Sequence, residues 1–310
     1  MSEENLEELI EKYTLSDEMH NSILKTRIIP RLLIPATRVL QPKLIIKTGQ
    51  CGAGKSYANF IIQKELGPNI IPVDFSTDML RDEHPYRYVI YKEHYKDYDP
   101  LVKKDAYKWQ AELIDEAISK RANIIFEKVL TEPNDWNLEL FRKAKSAGYS
   151  VECVAMGVHR LQSLAGMYLR RERRIAEKQD MLPIPLEKHD KCYQNLPSIL
   201  ENMEKNKSVD IITIYNRDAS FQYKKDLNTQ EIVTNYPDAS ISVVSALKIS
   251  RESFKKDKNK VQSIYQDLEQ AEQMMMARNS ETKKLEVIKS LRAELQAQTK
   301  FDISKRNGRE

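Results

Sequence analysis

The sequence predicts an α/β protein: a P-loop kinase-like, mainly parallel sheet with flanking helices, plus N-terminal helices and a helical C-terminal tail. Three observations carry that prediction. Short apolar runs alternate with longer helix-compatible stretches, as successive βαβ units require. Residues 49–56 fit the spacing G-x-x-x-x-G-K-[ST] at the junction of one such run and one such stretch. Beyond about residue 250 the composition turns to Lys, Glu, Gln and Met, with apolar residues at helical spacing.

In chain order, residues 4–12 read as a short polar helix. Thr14 with Asp17 forms a capping box for a second helix carrying Ile23, Leu24, Ile28 and Ile29. Pro30, Pro35 and Pro42 punctuate the approach to the core, which completes a lead-in of residues 1–42. Residues 43–48, an apolar run between a proline and a glycine, read as a buried central strand. Further strands are predicted at 69–74, 123–127, 151–156 and 210–215, with helices at 106–120 and 138–147, the latter closed by Gly148. This kinase-like domain spans 43–247, and 248–310 is the tail. There Val261, Ile264, Leu268, Ala271 and Met275, then Leu285, Ile288, Leu291 and Leu295, mark two amphipathic helices that break near Asn279 and Ser280 and are expected to pack on the core or on each other.

Composition narrows the function classes. With 41% hydrophobic and 31% charged residues in 310, the chain can bury a core and is not of disordered type. No apolar run reaches the length of a membrane span and the acidic start lacks a signal pattern, so a cytoplasmic protein without membrane contact is expected. The net charge of +4 sits in the tail, where from Lys248 onward 15 Lys and Arg face 10 Asp and Glu. A near-neutral body without a finger or RRM signature argues against sequence-specific nucleic-acid reading. Cys51, Cys153 and Cys192 have no metal-type spacing and read as reduced thiols.

The chemistry concentrates in Gly49-Gln50-Cys51-Gly52-Ala53-Gly54-Lys55-Ser56. Three of the eight glycines fall within six consecutive residues, where backbone N–H groups must turn inward around phosphate. Lys55 supplies a compact charge for the β and γ oxygens, and Ser56 offers a hydroxyl to Mg²⁺, so ATP and Mg²⁺ are the expected cofactors. In an open parallel sheet ligands bind beyond the carboxyl ends of the strands. That rule brings Asp78, after the second strand, and Glu127, at the end of the third, to the P-loop edge. A phosphoryl acceptor needs a base for its hydroxyl proton and a group to orient it, and these two carboxylates suit those roles.

Several motifs, in order, resemble the zeta toxins, P-loop small-molecule kinases of bacterial toxin–antitoxin systems. They are Thr14-Leu15-Ser16-Asp17-Glu18-Met19-His20, the P-loop, Asp78-x-x-Arg81-x-x-His84-Pro85, the strand ending in Glu127, and Ala147-Gly148-Tyr149-x-Val151-Glu152. His189-Asp190 with Leu196-Pro197, and Tyr215-Asn216-Arg217, extend the series over about two thirds of the chain. The resemblance implies that Asp78 is the base for the 3′-hydroxyl of UDP-N-acetylglucosamine, that Glu127 and Glu112 hold the sugar, and that Arg170 binds ATP phosphates. It also implies a UDP-sugar acceptor and restraint by an antitoxin protein or by an internal inhibitory segment.

Two positions depart from the family pattern. Glu127-Lys128-Val129-Leu130-Thr131 lacks the usual threonine, and Leu182 stands where a second phosphate-binding arginine is expected, a role Arg173 or Arg174 is placed to take. Two other readings therefore stay open: a kinase of another acceptor, such as an NAD-type nucleotide or a protein, or a catalytically degenerate ATP-binding interaction protein.

Overall fold

The computed structural model describes residues 5–132, 135–178, 184 and 186–299. Seven strands form one sheet in the order β2-β3-β1-β4-β5-β6-β7. The first five, β1 (Lys43–Thr48), β2 (Val73–Ser76), β3 (Ile124–Glu127), β4 (Ser150–Met156) and β5 (Ile211–Tyr215), run parallel. The last two, β6 (Phe221–Asp226) and β7 (Ile232–Thr234), are antiparallel. The P-loop kinase-like α/β architecture is thus realised. β1 lies between β3 and β4 and is buried on both faces, which explains its apolar run Leu44-Ile45-Ile46.

Eight helices belong to the lead-in and the sheet layers: α1 (Leu6–Tyr13), α2 (Asp17–Ile23), α3 (Lys55–Leu66), α4 (Thr77–Arg81), α5 (Arg87–Glu93), α6 (Tyr98–Lys120), α7 (Asp135–Ser146) and α8 (Arg160–Ala176). They are followed by α9 (Leu186–Lys205), α10 (Val243–Glu252), α11 (Lys258–Ala277) and α12 (Thr282–Thr299). The main core lies between the sheet and the helices of one face, with Leu44, Ile46, Phe75, Trp109 and Phe126 all but fully buried. A second core, formed by α8, α11 and α12, contains the tail's apolar residues at both sets of helical spacing. The tail therefore packs on the body. Asn279, with φ of 54°, turns the chain between its two helices at the predicted break.

Local details differ from the sequence reading for identifiable reasons. Thr14 does not cap α2. Its hydroxyl donates back to the Ile10 carbonyl at 2.6 Å and closes α1, while the Ser16 hydroxyl accepts from the Met19 amide. Between Leu24 and Leu33 the chain widens into i→i+5 helical bonding around Pro30, whose nitrogen has no hydrogen to donate. The second strand begins at Val73, not at residue 69, because Pro72 offers no ladder donor; the Val73 amide makes the first bond, to the Asn123 carbonyl at 2.8 Å. α6 starts eight residues earlier than expected, with Pro100 in its first turn, where a missing N–H costs little. The short amphipathic strands β6 and β7 went unread.

Candidate active site

The P-loop leaves the carboxyl end of β1 and enters α3 through three left-handed glycines, Gly49 (φ 139°), Gly52 (φ 75°) and Gly54 (φ 90°). Space as well as backbone conformation requires them. A Cβ on Gly52 would lie 2.4 Å from the Ser163 carbonyl oxygen and 2.5 Å from Met167 Cγ, because α8 rests directly on the loop. Gly54 precedes α3 and offers no side chain to cap it, so the first turn of a twelve-residue helix opens toward the loop with its N–H groups available to an anion.

The loop is braced from below. Gln50 is completely buried and donates through Nε2 to the Val158 carbonyl at 2.8 Å and to Ser163 Oγ at 3.2 Å. Ser163 Oγ in turn meets His189 Nε2 at 2.8 Å, and His189 Nδ1 meets Asp190 at 2.8 Å. Burial holds His189 below its ordinary pKa, which fits a neutral ring bridging a hydroxyl and a carboxylate. His189 is a brace, with Asp190 also gripped by Arg160 at 3.0 and 3.2 Å.

Beyond the strand ends lies a cleft of about 1360 Å³. Single-ligand pockets hold roughly 300–1,000 Å³, so this volume takes a nucleotide and an acceptor together. Cys51, Asp78, Glu127 and Arg170 all line it, although they come from the P-loop, α4, β3 and α8. Asp78 projects into the opening with its side chain 86% exposed, and it pairs with Arg81 at 2.9 Å. Arg81 also holds Asp99 at 2.7 Å, so the guanidinium steadies the carboxylate without enclosing it.

Glu127 is held quite differently. Its two oxygens lie 3.7 Å from Lys55 Nζ and 3.9 Å from Lys47 Nζ. Lys55 also donates to the Gly49 and Gln50 carbonyls at 3.1 and 3.2 Å, so its ammonium is folded into the loop that phosphate would fill. Lys47 is all but buried beneath α3. There it donates to Asn59, and Asn59 donates to Asp74 at 2.9 Å. Burial raises the Asp74 pKa while the Lys47 charge opposes the rise. Lys47 escaped the sequence reading, and its signal was an ammonium placed inside an otherwise apolar strand.

Glu112 does not join this group. It faces the lead-in, its Oε2 accepting from His20 Nε2 at 2.7 Å, while the cleft is reached from the same helix by Tyr107 and Gln110. Of the arginines on α8, Arg170, Arg171 and Arg174 line the cleft. Arg173 points away, donating to Gln270 at 2.9 Å, and Leu182 lies outside the described residues. Arg217, the last residue of the Tyr215-Asn216-Arg217 motif, has a part in the loop that its spacing does not reveal. Its guanidinium crosses the loop, donating to the Gly52 carbonyl at 3.1 Å and to the Gln162 carbonyl.

The hydroxyl of Ser56 stands at the exposed first turn of α3, suited to a hard, oxygen-seeking divalent cation beside a phosphate. Among the described residues no group of three or more His, Cys, Asp or Glu side chains is arranged to hold a metal ion alone. Cys153 and Cys192 are buried, their thiols pushed up to about 12 by desolvation, and all three cysteines are free. No helix among the described residues is long and apolar enough to cross a membrane.

The family model described as Zeta toxin matches residues 33–228. Toxin PezT of Streptococcus pneumoniae is 30% identical over 190 residues, which cover 61% of this chain and 74% of that protein. Toxin zeta of Streptococcus agalactiae is 24% identical over 191 residues, covering 61% of this chain and 66% of the relative. A solved structure from the characterisation of the PezAT chromosomal toxin–antitoxin system of Streptococcus pneumoniae has the same fold, with a TM-score of 0.70 at 22% identity over 84% of this chain and 98% of that one.

Proposed function

The chain belongs to the zeta toxin family, and from that premise we propose that it is a kinase transferring the γ-phosphoryl group of ATP to the 3′-hydroxyl of UDP-N-acetylglucosamine or a related UDP-sugar. The observation that carries this reading is the convergence of Asp78, Glu127 and Arg170 on one cleft beside the P-loop. Each then has a role that its surroundings suit. Asp78, open to the cleft, takes the proton of the acceptor hydroxyl as that oxygen bonds to the γ-phosphorus and the bond to the bridging β–γ oxygen breaks, releasing ADP. Glu127 accepts hydrogen bonds from the sugar. Arg170, with Lys55, offsets the charge gathered on the transferring oxygens.

Ser56 and the open turn of α3 suit Mg²⁺ bound with the nucleotide, where the ion would supply charge neutralisation between β and γ oxygens. The acceptor side carries Tyr88, Tyr91, Tyr98 and Tyr107 beside Arg87, faces on which a nucleobase can stack. That lining also favours the second reading, a dinucleotide acceptor of NAD type. Because the solved relative comes from a toxin–antitoxin system, an antitoxin is the proposed protein partner.

The test is incubation of the purified protein with ATP, Mg²⁺ and a pool of UDP-sugars and dinucleotides, read by mass spectrometry, with Asp78→Asn as control. Phosphorylated UDP-N-acetylglucosamine formed only by the unsubstituted protein supports the reading. A different phosphorylated compound replaces the acceptor. ATP binding without transfer to any member of the pool counts against a small-molecule kinase and favours the degenerate nucleotide-binding protein.

A further inference from the structure

The helical hairpin α11–α12 lies beyond the residues matched by the family model, yet it reaches both walls of the nucleotide site from behind. One wall is α8. Its apolar face, with Leu161, Leu164 and Tyr168, shares a core with Ile264, Leu268 and Ile288 of the hairpin. Within this contact the Glu172 carboxylate, with no exposure of its side chain, accepts from Nε and Nη2 of Arg278 at 2.6 and 3.0 Å and from Arg171 at 3.1 Å. The second wall is the β5–β6 loop. Lys260 pairs with Asp218, the neighbour of Arg217 in the chain, at 3.1 Å. Arg217 is the residue that grips the P-loop, and it fits because position 166 is glycine: a Cβ there would lie 2.0 Å from its Nη2.

Among the described residues, none from α11 or α12 lines the cleft. The hairpin therefore does not stand where it would exclude a ligand. We propose that it is a strap which sets nucleotide affinity by fixing the arginine row of α8 and the Arg217 loop against the P-loop, with Arg278 and Lys260 as its positioning residues. This rests on the nucleotide-binding reading above, and it makes the tail part of the site in place of an internal brake. The physical link at Arg278 is direct. Glu172 is a buried carboxylate shared by two arginines, one of the hairpin and one of the cleft wall. Losing Arg278 leaves Glu172 to draw on Arg171 alone, pulling that guanidinium away from the cleft.

The experiment titrates full-length protein with a fluorescent ATP analogue and follows amide hydrogen exchange without nucleotide. Arg278→Met is expected to weaken nucleotide binding ~10-fold, within the range of ordinary coupling between linked sites. It should also speed exchange in 160–176 while leaving β1 and β3 unchanged, and Arg278→Lys should recover part of the affinity. Lys260→Met, at a partly exposed position, tests the second wall should Arg278→Met fail to fold; it should weaken binding and speed exchange at 216–218. Unchanged or tighter binding in the folded variants overturns the strap, and tighter binding would mean a brake. If the unsubstituted chain binds no nucleotide, the kinase reading fails by itself, and unchanged exchange at 160–176 in Arg278→Met still overturns the strap.

Discussion

Asp78 and Glu127 follow neighbouring strands of one sheet, β2 and β3, yet their surroundings are opposed. Asp78 is solvent-facing, second residue of a short helix, steadied by one arginine. Glu127 lies between two lysines that are themselves nearly buried, one beneath α3 and one in the P-loop. An exposed carboxylate is open to a ligand arriving from the cleft. A carboxylate between two buried ammonium groups is fixed in position by them. The sheet thus presents one carboxylate to the opening and holds the other against its floor. Lys55 links the second to the P-loop, its ammonium lying 3.7 Å from Glu127 while it donates to the Gly49 and Gln50 carbonyls.

Substitutions can break this contrast. Arg170→Ala should lower kcat by about 10³-fold or more, the scale of an arginine acting on a transferring phosphoryl group, measured in single turnovers at saturating ATP. Asp78→Asn should cost ~10²–10⁴-fold in kcat with ATP affinity retained; a matching loss of ATP affinity would remove its role as base. Lys47→Met should act mainly on stability, by about 3 kcal/mol in urea denaturation, since it strands Asp74 and Glu127 without their shared buried cation. Equal stability of that variant would show that the Glu127 side is no more tightly held than the Asp78 side.

The smallest expected effect concerns pH. His159 opens α8, its Nδ1 accepting from the Leu161 amide at 3.2 Å, and burial pushes its pKa down to about 4 against a pull upward from Glu252. With the folded value below the unfolded one, the unfolded chain binds the proton first. His159 therefore contributes its full stabilisation above about pH 6.5 and loses it as pH falls from there toward 4. His159→Asn, which keeps a capping side chain, should flatten that part of the stability profile in denaturant melts at pH 7, 6 and 5. A profile as steep as that of the unsubstituted protein would assign the dependence to other groups.

Much of this arrangement was legible before any coordinates. The parallel strands β1, β3, β4 and β5 announce themselves as apolar runs because both faces of each are covered, and the P-loop because its backbone tolerates only glycine at three places. β6 and β7 were not legible, since a half-exposed edge hairpin such as Phe221-Gln222-Tyr223-Lys224 carries too few apolar residues to stand out. Glu112 and the choice between Arg173 and Arg174 depend on which side of a helix faces the cleft. Sequence spacing gives relative angles around a helix, but only packing fixes the absolute one. The linkage of the tail to α8 was invisible for the same reason, because Glu172 and Arg278 are 106 positions apart.

The contacts at Gly52 and Gly166 carry a consequence for how such a gene would decay. At Gly52 the smallest possible enlargement, a single methyl group, would collide with the Ser163 backbone carbonyl, and at Gly166 it would push the Arg217 guanidinium off the P-loop. In a library of single substitutions sorted for binding of a fluorescent ATP analogue, losses should accumulate at these two codons as well as at those for the charged groups of the cleft. Deep sequencing of the non-binding fraction would then trace the seam between α8 and the P-loop without any assay of the reaction.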